Sequence, residues 1–380
     1  MSAPAFLPYG RQDVDEADIE AVAQALRQDL ITQGPTVARF EEAFAAHVGA
    51  RHAVAFSSGT AALHGAAFAA GVQPGDGCVT SPITFAASMN AAVYLGAVPR
   101  FVDIDPATWN LDARAAAGVA GSKVVVPVSF AGLPADLEPL RGGGATIIED
   151  AAHALGAVRD GKPVGGPGGA DITCFSLHPV KTMTTGEGGI ATTEDDGLAD
   201  RMRAFRTHGI VRGDATHPGE HDGAWWYEQQ ALGFNYRITD FQCALGLRQL
   251  TRLEGWVARR NAIAALYRER LAGDERIGLP PAASEGSRHG YHLFVVHLAG
   301  GAAVRRRVFD GLRAAGIGVQ VHYIPLYKMP FYRDNYGIDQ DAFPHAEHYY
   351  AGAISLPLFP AMEAADVIRV VGELQRLLGP

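Results

Sequence analysis

The chain is 380 residues long, 48% hydrophobic and 19% charged, with 41 acidic against 32 basic side chains. That composition excludes intrinsic disorder and suits one large domain with a smaller companion. The net charge of −9 excludes a nucleic-acid-binding surface, which needs a basic stripe to displace counterions.

No apolar run approaches the roughly 20 residues of a membrane span. The opening MSAPAFLPYGRQDVDEAD has no basic region followed by an apolar stretch, so no signal peptide is read and a cytoplasmic protein is expected. Cys78, Cys174 and Cys243 form no CxxC pair, which excludes a thiolate zinc cluster and a disulfide framework, and no metal site is expected.

Residues 13–29 place Ile19, Val22, Ala23 and Leu26 at helical spacing behind an acidic first turn, which predicts an amphipathic helix. From about residue 52 to 195, the β-rich runs HAVAFS, GCVTSP, VPRFVDI, KVVVPVSF, ATIIED, ADITCFSLH and GGIATT alternate with helical stretches. Strands separated by helices predict an α/β fold: a large, mostly parallel seven-stranded sheet between helices, with ligands at the carboxyl ends of its strands. Segment 207–232 is rich in Gly, His and Trp and lacks periodicity, so a long loop is expected. Beyond about 245, AIAALYRERLA, GYHLFVVHL, AAVRRRVFDGLRAAGIGVQVHYIP and ADVIRVVGELQRLLG predict a smaller α+β unit. The expected division is an N-terminal arm and helix (1–30), a large domain (31–248) and a small C-terminal domain (249–380).

Only four of the basic residues are lysine: Lys123, Lys162, Lys181 and Lys328. Arginine does not deprotonate and forms no imine, so any lysine chemistry has four candidates. Lys181 lies in ADITCFSLHPVKTMTTGEGGIATT, between two core strands and before a Gly-rich return. Such a lysine is either exposed surface or a reactive amine where the sheet gathers its ligands. Asp150 ends the apolar strand of ATIIEDAAHALGA, where it either caps the following segment or pairs with a cationic ring nitrogen. His153 faces the same ligand or is a core histidine. In AFSSGTAALHGAAFAA, a strand runs through Ser57, Ser58, Gly59 and Thr60 into an Ala-rich helix, whose free amides and positive end make an anion cradle. Phe85, just past the next strand, stacks on a flat ring or joins the core. A lysine, a strand-end carboxylate, an aromatic and a phosphate cradle together suit pyridoxal 5′-phosphate.

SSGTAAL, TFAASMN, EDAAHALG, SLHPVKTMTTGEGG, GFNYRITDFQCALG and QVHYIPLY resemble, in order and spacing, the DegT/DnrJ/EryC1/StrS sugar aminotransferases, a fold-type I pyridoxal phosphate family. Within it, PYGRQ, the Pro-Val-Lys-x-x-Thr-Thr segment and QVHYIPLY are most similar to the transaminases of the pseudaminic acid branch. The resemblance implies that Lys181 is the Schiff-base lysine, Asp150 the partner of the pyridine nitrogen and Phe85 the stacking ring. Ser58, Gly59, Thr60 and Ser176 would hold the phosphate, His153 would join the cofactor contacts, and Asn235 would reach the phosphate in the neighbouring subunit of a homodimer. Tyr9, the stretch Asp29, Leu30, Ile31 and Thr32, and His322, Tyr323, Ile324 and Pro325 fall where that branch contacts its nucleotide sugar. Arg237, beside Asn235, is a candidate for the glutamate carboxylate. The implied reaction moves an amino group from L-glutamate to C4 of UDP-2-acetamido-2,6-dideoxy-β-L-arabino-hex-4-ulose. Other keto-sugars, such as GDP-4-keto-6-deoxymannose or UDP-4-keto-arabinose, stay open. So does a non-catalytic cofactor-binding regulator or partner subunit.

Overall fold

A computed structural model describes residues 5–212, 223 and 225–379. The seven expected runs become β1 (His52–Phe56), β2 (Gly77–Thr80), β3 (Val98–Phe101), β4 (Ser122–Val126), β5 (Thr146–Asp150), β8 (Ile172–Ser176) and β9 (Gly189–Thr193), after the two-residue strands β6 (Val158–Arg159) and β7 (Lys162–Pro163) that form a small hairpin. They assemble in the order β1-β9-β8-β5-β4-β2-β3. Neighbours from β8 through β5, β4 and β2 to β3 are parallel, whereas β9 runs antiparallel to both β1 and β8. The antiparallel pair follows from the connection: β8 and β9 are joined by a loop without a crossover helix, and only a crossover restores direction.

Side-chain alternation divides the core between the two faces of this sheet. Val54, Phe56, Cys78, Val124, Val126, Ile148 and Cys174 pack against the helices α3 (Gly59–Ala69) and α4 (Ala86–Val93). Ala53, Ala55, Phe175 and Ile190 meet Phe40 and Phe44 of α2 (Pro35–Val48) on the other face. Helix α2 begins with Pro35 and ends at Gly49, whose φ of 79° is the left-handed stop that glycine accepts. Its opening amides find a distant acceptor: Gly34 and Thr36 donate to the buried Asp240 carboxylate at 2.8 and 2.9 Å. Asp240→Ala is expected to lower stability by about 1–2 kcal/mol, the usual worth of a strong N-cap. A lowered urea midpoint with an unchanged slope checks this.

The first helix, α1 (Glu16–Leu26), is shorter than the 13–29 expected, because Asp15 and Asp18 close a capping box at its start. Its buried residues are Asp18 and Ala25, not the apolar set that the spacing picked out. Asp18 meets Gln249 and Arg252, while Ile19 and Leu26 are 53% and 52% exposed. The segment preceding α1 goes elsewhere: Leu7 bridges Ile317, and Leu358 N–H donates to the Tyr9 carbonyl. Tyr9 is thereby tied to the C-terminal part of the chain.

Segment 207–232 is not a plain loop. It contains a two-stranded ribbon, β10 (Ile210–Arg212) with β11 (Tyr227–Gln229), while 213–222 and 224 lie outside the described residues. The C-terminal part builds the expected α+β unit on an antiparallel sheet of β12 (Ile277–Gly278), β13 (Phe294–Leu298) and β14 (Ala353–Leu356). Helices Leu253–Leu271, Gly301–Ala314 and Ala364–Leu378 cover it with a core that includes Tyr267, Val308, Leu312, Val367 and Leu374. Among the described residues, no helix is long and apolar enough to cross a membrane.

Candidate active site

A cavity of about 590 Å³ opens at the carboxyl ends of β1, β5 and β8, where Ser57, Asp150 and Ser176 emerge into its walls. Lys181, Asp150, His153, Phe85, Ser58, Gly59, Thr60 and Ser176 all line it, as do Tyr9, His322 and Tyr323. The other lysines stand apart: Lys123 and Lys162 are exposed, and Lys328 pairs with Glu347 at 2.7 Å.

Lys181 sits on the loop between β8 and β9, its N–H donating to the His178 carbonyl. Burial lowers its ammonium pKa to about 8, against the raising charge of Asp150. Asp150 is 4% exposed. Its Oδ2 accepts from Ser88 at 2.6 Å and its Oδ1 from the Ala152 N–H at 3.0 Å. Burial pushes the carboxyl above the usual carboxylate range, opposed by those two hydrogen bonds and by Lys181. Asp150 caps the turn through Ala152 and also lines the cavity. A cationic ring nitrogen beside it would favour the charged carboxylate.

The cradle is equally specific in shape. A Cβ at Gly59 would stand 2.9 Å from that of Ser176, so only glycine lets the start of α3 meet the end of β8. Ser58 caps α3, accepting from the Ala61 N–H at 3.1 Å. The N–H groups of Gly59 and Thr60 belong to the first turn, where no intrahelical carbonyl takes them. Those donors, the helix end and the Ser176 hydroxyl fit a phosphate. Phe85 is 60% exposed, presenting its ring to the cavity instead of joining the core. The residues present therefore fit pyridoxal phosphate: amine, carboxylate, ring wall and anion cradle share one cavity.

Two residues of the site escaped the sequence reading: His292, which lines the cavity, and Ser88, which stands behind Asp150. His292, just before β13, lies with its ring centroid 4.5 Å from that of His153. Ser88 orients Asp150, and only its place in TFAASMN pointed toward it. His322, one of the expected sugar contacts, is pushed down to about 3 by burial and by Lys181, and its Nδ1 lies 2.7 Å from Ser355 Oγ. An apolar flank signals burial for such residues but not which cavity they face.

The remaining expected contacts do not line this cavity. Asn235 is exposed and bridges Thr207, Arg237 is half-buried, and the intervening Tyr236 carbonyl accepts from the Ser57 N–H. Asp29, Leu30, Ile31 and Thr32 are exposed, with Thr32 bridging Thr239. Ile324 is exposed and Pro325 is buried.

Residues 12–375 match the model of the DegT/DnrJ/EryC1/StrS aminotransferase family. The chain is 38% identical over 376 residues to the spore coat polysaccharide biosynthesis protein SpsC of Bacillus subtilis, covering 96% of this chain and 95% of that one. Spr1654 from Streptococcus pneumoniae in its PLP form superposes with a TM-score of 0.90 at 28% identity, covering 98% of each chain. PseC of Helicobacter pylori, an aminotransferase involved in the biosynthesis of pseudoaminic acid, does so with 0.89 at 27% identity, over 98% of this chain and 99% of that one. The chain therefore belongs to the DegT/DnrJ/EryC1/StrS family and is a pyridoxal phosphate-dependent aminotransferase of fold type I.

Proposed function

We propose that the chain transfers an amino group from L-glutamate to C4 of a nucleotide-linked 4-keto-6-deoxy sugar. The substrate proposed is UDP-2-acetamido-2,6-dideoxy-β-L-arabino-hex-4-ulose, of pseudaminic acid biosynthesis, and the likeness to PseC supports it. The observation that carries the reading is a single cavity holding Lys181 and Asp150 together with a polar wall of Tyr9, His322 and Tyr323.

When bound, pyridoxal phosphate supplies an electron sink for the pair left at an amino-acid Cα. The chain's own groups do the rest. Gly59 and Thr60 N–H groups, with Ser176, hold the phosphate, and Phe85 packs one face of the ring. Asp150 holds the proton of the ring nitrogen by charge. Lys181 Nζ, its pKa lowered by burial to about 8, takes a proton from the donor Cα and returns it on the other side of the transfer. L-glutamate should bleach the visible band of the cofactor-loaded enzyme. A panel of nucleotide keto-sugars should then restore it, the UDP-linked 4-keto sugar fastest. Faster return with GDP-4-keto-6-deoxymannose or UDP-4-keto-arabinose reassigns the sugar, and no bleaching at all leaves a cofactor-binding regulator.

The working unit in this reading is a homodimer with shared sites. Ile19, Leu26, Leu30, Ile31, Trp225 and Leu232 are large apolar residues left exposed, and Asn235 and Arg237 lie outside their own cavity. In a mixed dimer of Lys181→Ala and Asn235→Asp chains, one shared site carries both defects and the other neither. Separated by tags, it should recover about half of wild-type activity per dimer, as twofold symmetry requires. Background activity would place Asn235 in its own chain's site.

A further inference from the structure

The neutral His153 imidazole has one donor and one acceptor nitrogen. Its Nδ1 accepts from the Ala131 N–H at 3.2 Å, so the ring proton stands on Nε2. Burial, reinforced by the charges of Lys181 and His322, holds the ring neutral. Nε2–H therefore donates to Tyr323 Oη at 3.0 Å. The phenol accepts that bond and keeps its own hydrogen, since burial holds Tyr323 well above the ordinary range for a phenol. Among the described residues, the Tyr323 hydroxyl has His153 as its one hydrogen-bond partner. That hydrogen, on a half-buried residue of the cavity wall, has no acceptor among the described residues, and a bound ligand is the natural place for one.

The ring that carries this hydrogen is well fixed. It lies nearly parallel to His153, with centroids 6.0 Å apart, and packs edge-on against Phe130 at 6.2 Å. Phe85 is 6.1 Å away across the cavity. On its other side stands His322 at 4.9 Å, with Tyr9 5.7 Å from His322. Tyr323 thus shares the cavity lining with Asp150, Tyr9 and His322.

From this geometry we infer that Tyr323 donates a hydrogen bond to the carbonyl oxygen of the amino-accepting ketone, and that His153 is the positioning residue that aims it. The inference rests on the transaminase reading above and deepens it. A ketone oxygen gains negative charge as nitrogen adds to its carbon, and a donor already aligned in a buried site stabilises that charge without reorganising. The Ala131 amide is the origin of the alignment: by fixing the His153 tautomer, it frees the phenol hydrogen for the substrate.

Tyr323→Phe keeps the ring contacts and deletes the donor. The two half-reactions are timed separately by stopped flow: L-glutamate with the pyridoxal form, and the UDP-linked 4-keto sugar with the pyridoxamine form. The ratio of acceptor to donor rate should fall about 10²-fold, the usual loss for one oxyanion donor. An unchanged ratio overturns the inference, because Tyr323 then serves both substrates, or the cofactor, alike. A second measurement needs no ketone. In ¹⁵N spectra of histidine-labelled protein, the His153 signal is the one missing from His153→Gln. It should show a protonated Nε2 whose shift changes in Tyr323→Phe. A protonated Nδ1 overturns the inference, since the phenol hydrogen is then used on His153. If the wild-type enzyme leaves the UDP-linked sugar untouched, the substrate assignment fails, and the tautomer alone decides the inference.

Discussion

Lys181→Ala should fold normally, bind pyridoxal phosphate without a covalent link, and lose at least about 10³-fold in transamination, since general acid–base catalysis typically contributes ~10²–10⁴-fold. The substitution removes the one lysine amine that lines the cavity, and no other described lysine can replace it. Borohydride reduction followed by peptide mapping should label Lys181 in the wild type and nothing in the variant. A label on Lys123, Lys162 or Lys328 would overturn the assignment. The same amine sets a pH dependence. Its pKa is lowered from 10.5 to about 8, and only the neutral amine attacks an aldehyde. Covalent capture of pyridoxal phosphate by the cofactor-free chain should therefore rise with pH, with a midpoint near pH 8. Folding shares this sign. Between about pH 8 and the ordinary lysine value, the unfolded chain binds more protons at this site, so its contribution to stability rises with pH. Lys181→Met should flatten that slope.

Asp150→Asn should lose at least about 10²-fold in the glutamate half-reaction, equal to roughly 2.7 kcal/mol of barrier. The amide keeps the size of the carboxylate and its acceptor oxygen for Ser88 or Ala152. It removes the charge that holds a proton on a ring nitrogen. Stopped-flow bleaching of the cofactor band by L-glutamate measures the effect. Near-wild-type rates would reduce Asp150 to the turn cap that its Ala152 hydrogen bond also makes it.

The sheet and the cofactor pocket were largely legible in the residues, because each rests on local pattern. Seven apolar runs announced seven strands, and glycine next to a helix start announced an anion cradle. The antiparallel setting of β9 was less legible, since nothing in GGIATT distinguishes its direction; only the missing crossover helix does. Ile19 and Leu26 mislead for a related reason. Helical spacing identifies an apolar face but not its partner, and within this chain α1 docks through Asp18 and its ion pair with Arg252. His292 had no signature and Ser88 only its place in TFAASMN, because their importance comes from neighbours distant in sequence: His153 for one and Asp150 for the other.

The loop that carries Lys181 leaves one strand and enters the next of an antiparallel pair, and both ends are locked to the phosphate cradle. Gly59 meets Ser176 at the exit, and a Cβ at Gly189 on the return would collide with the Ser58 carbonyl. Any drift of β8 or β9 therefore drags amine and cradle together, so that part of the enzyme behaves as a single casting. Tyr9, His322 and Tyr323 come instead from the arm and from the chain after residue 316, held by bonds such as Leu7 to Ile317 and His322 to Ser355. In the proposed reading, a change of sugar would fall on these pieces. Grafting them from one transaminase to another should transplant substrate preference while the casting, with Lys181 and the cradle, stays as it is.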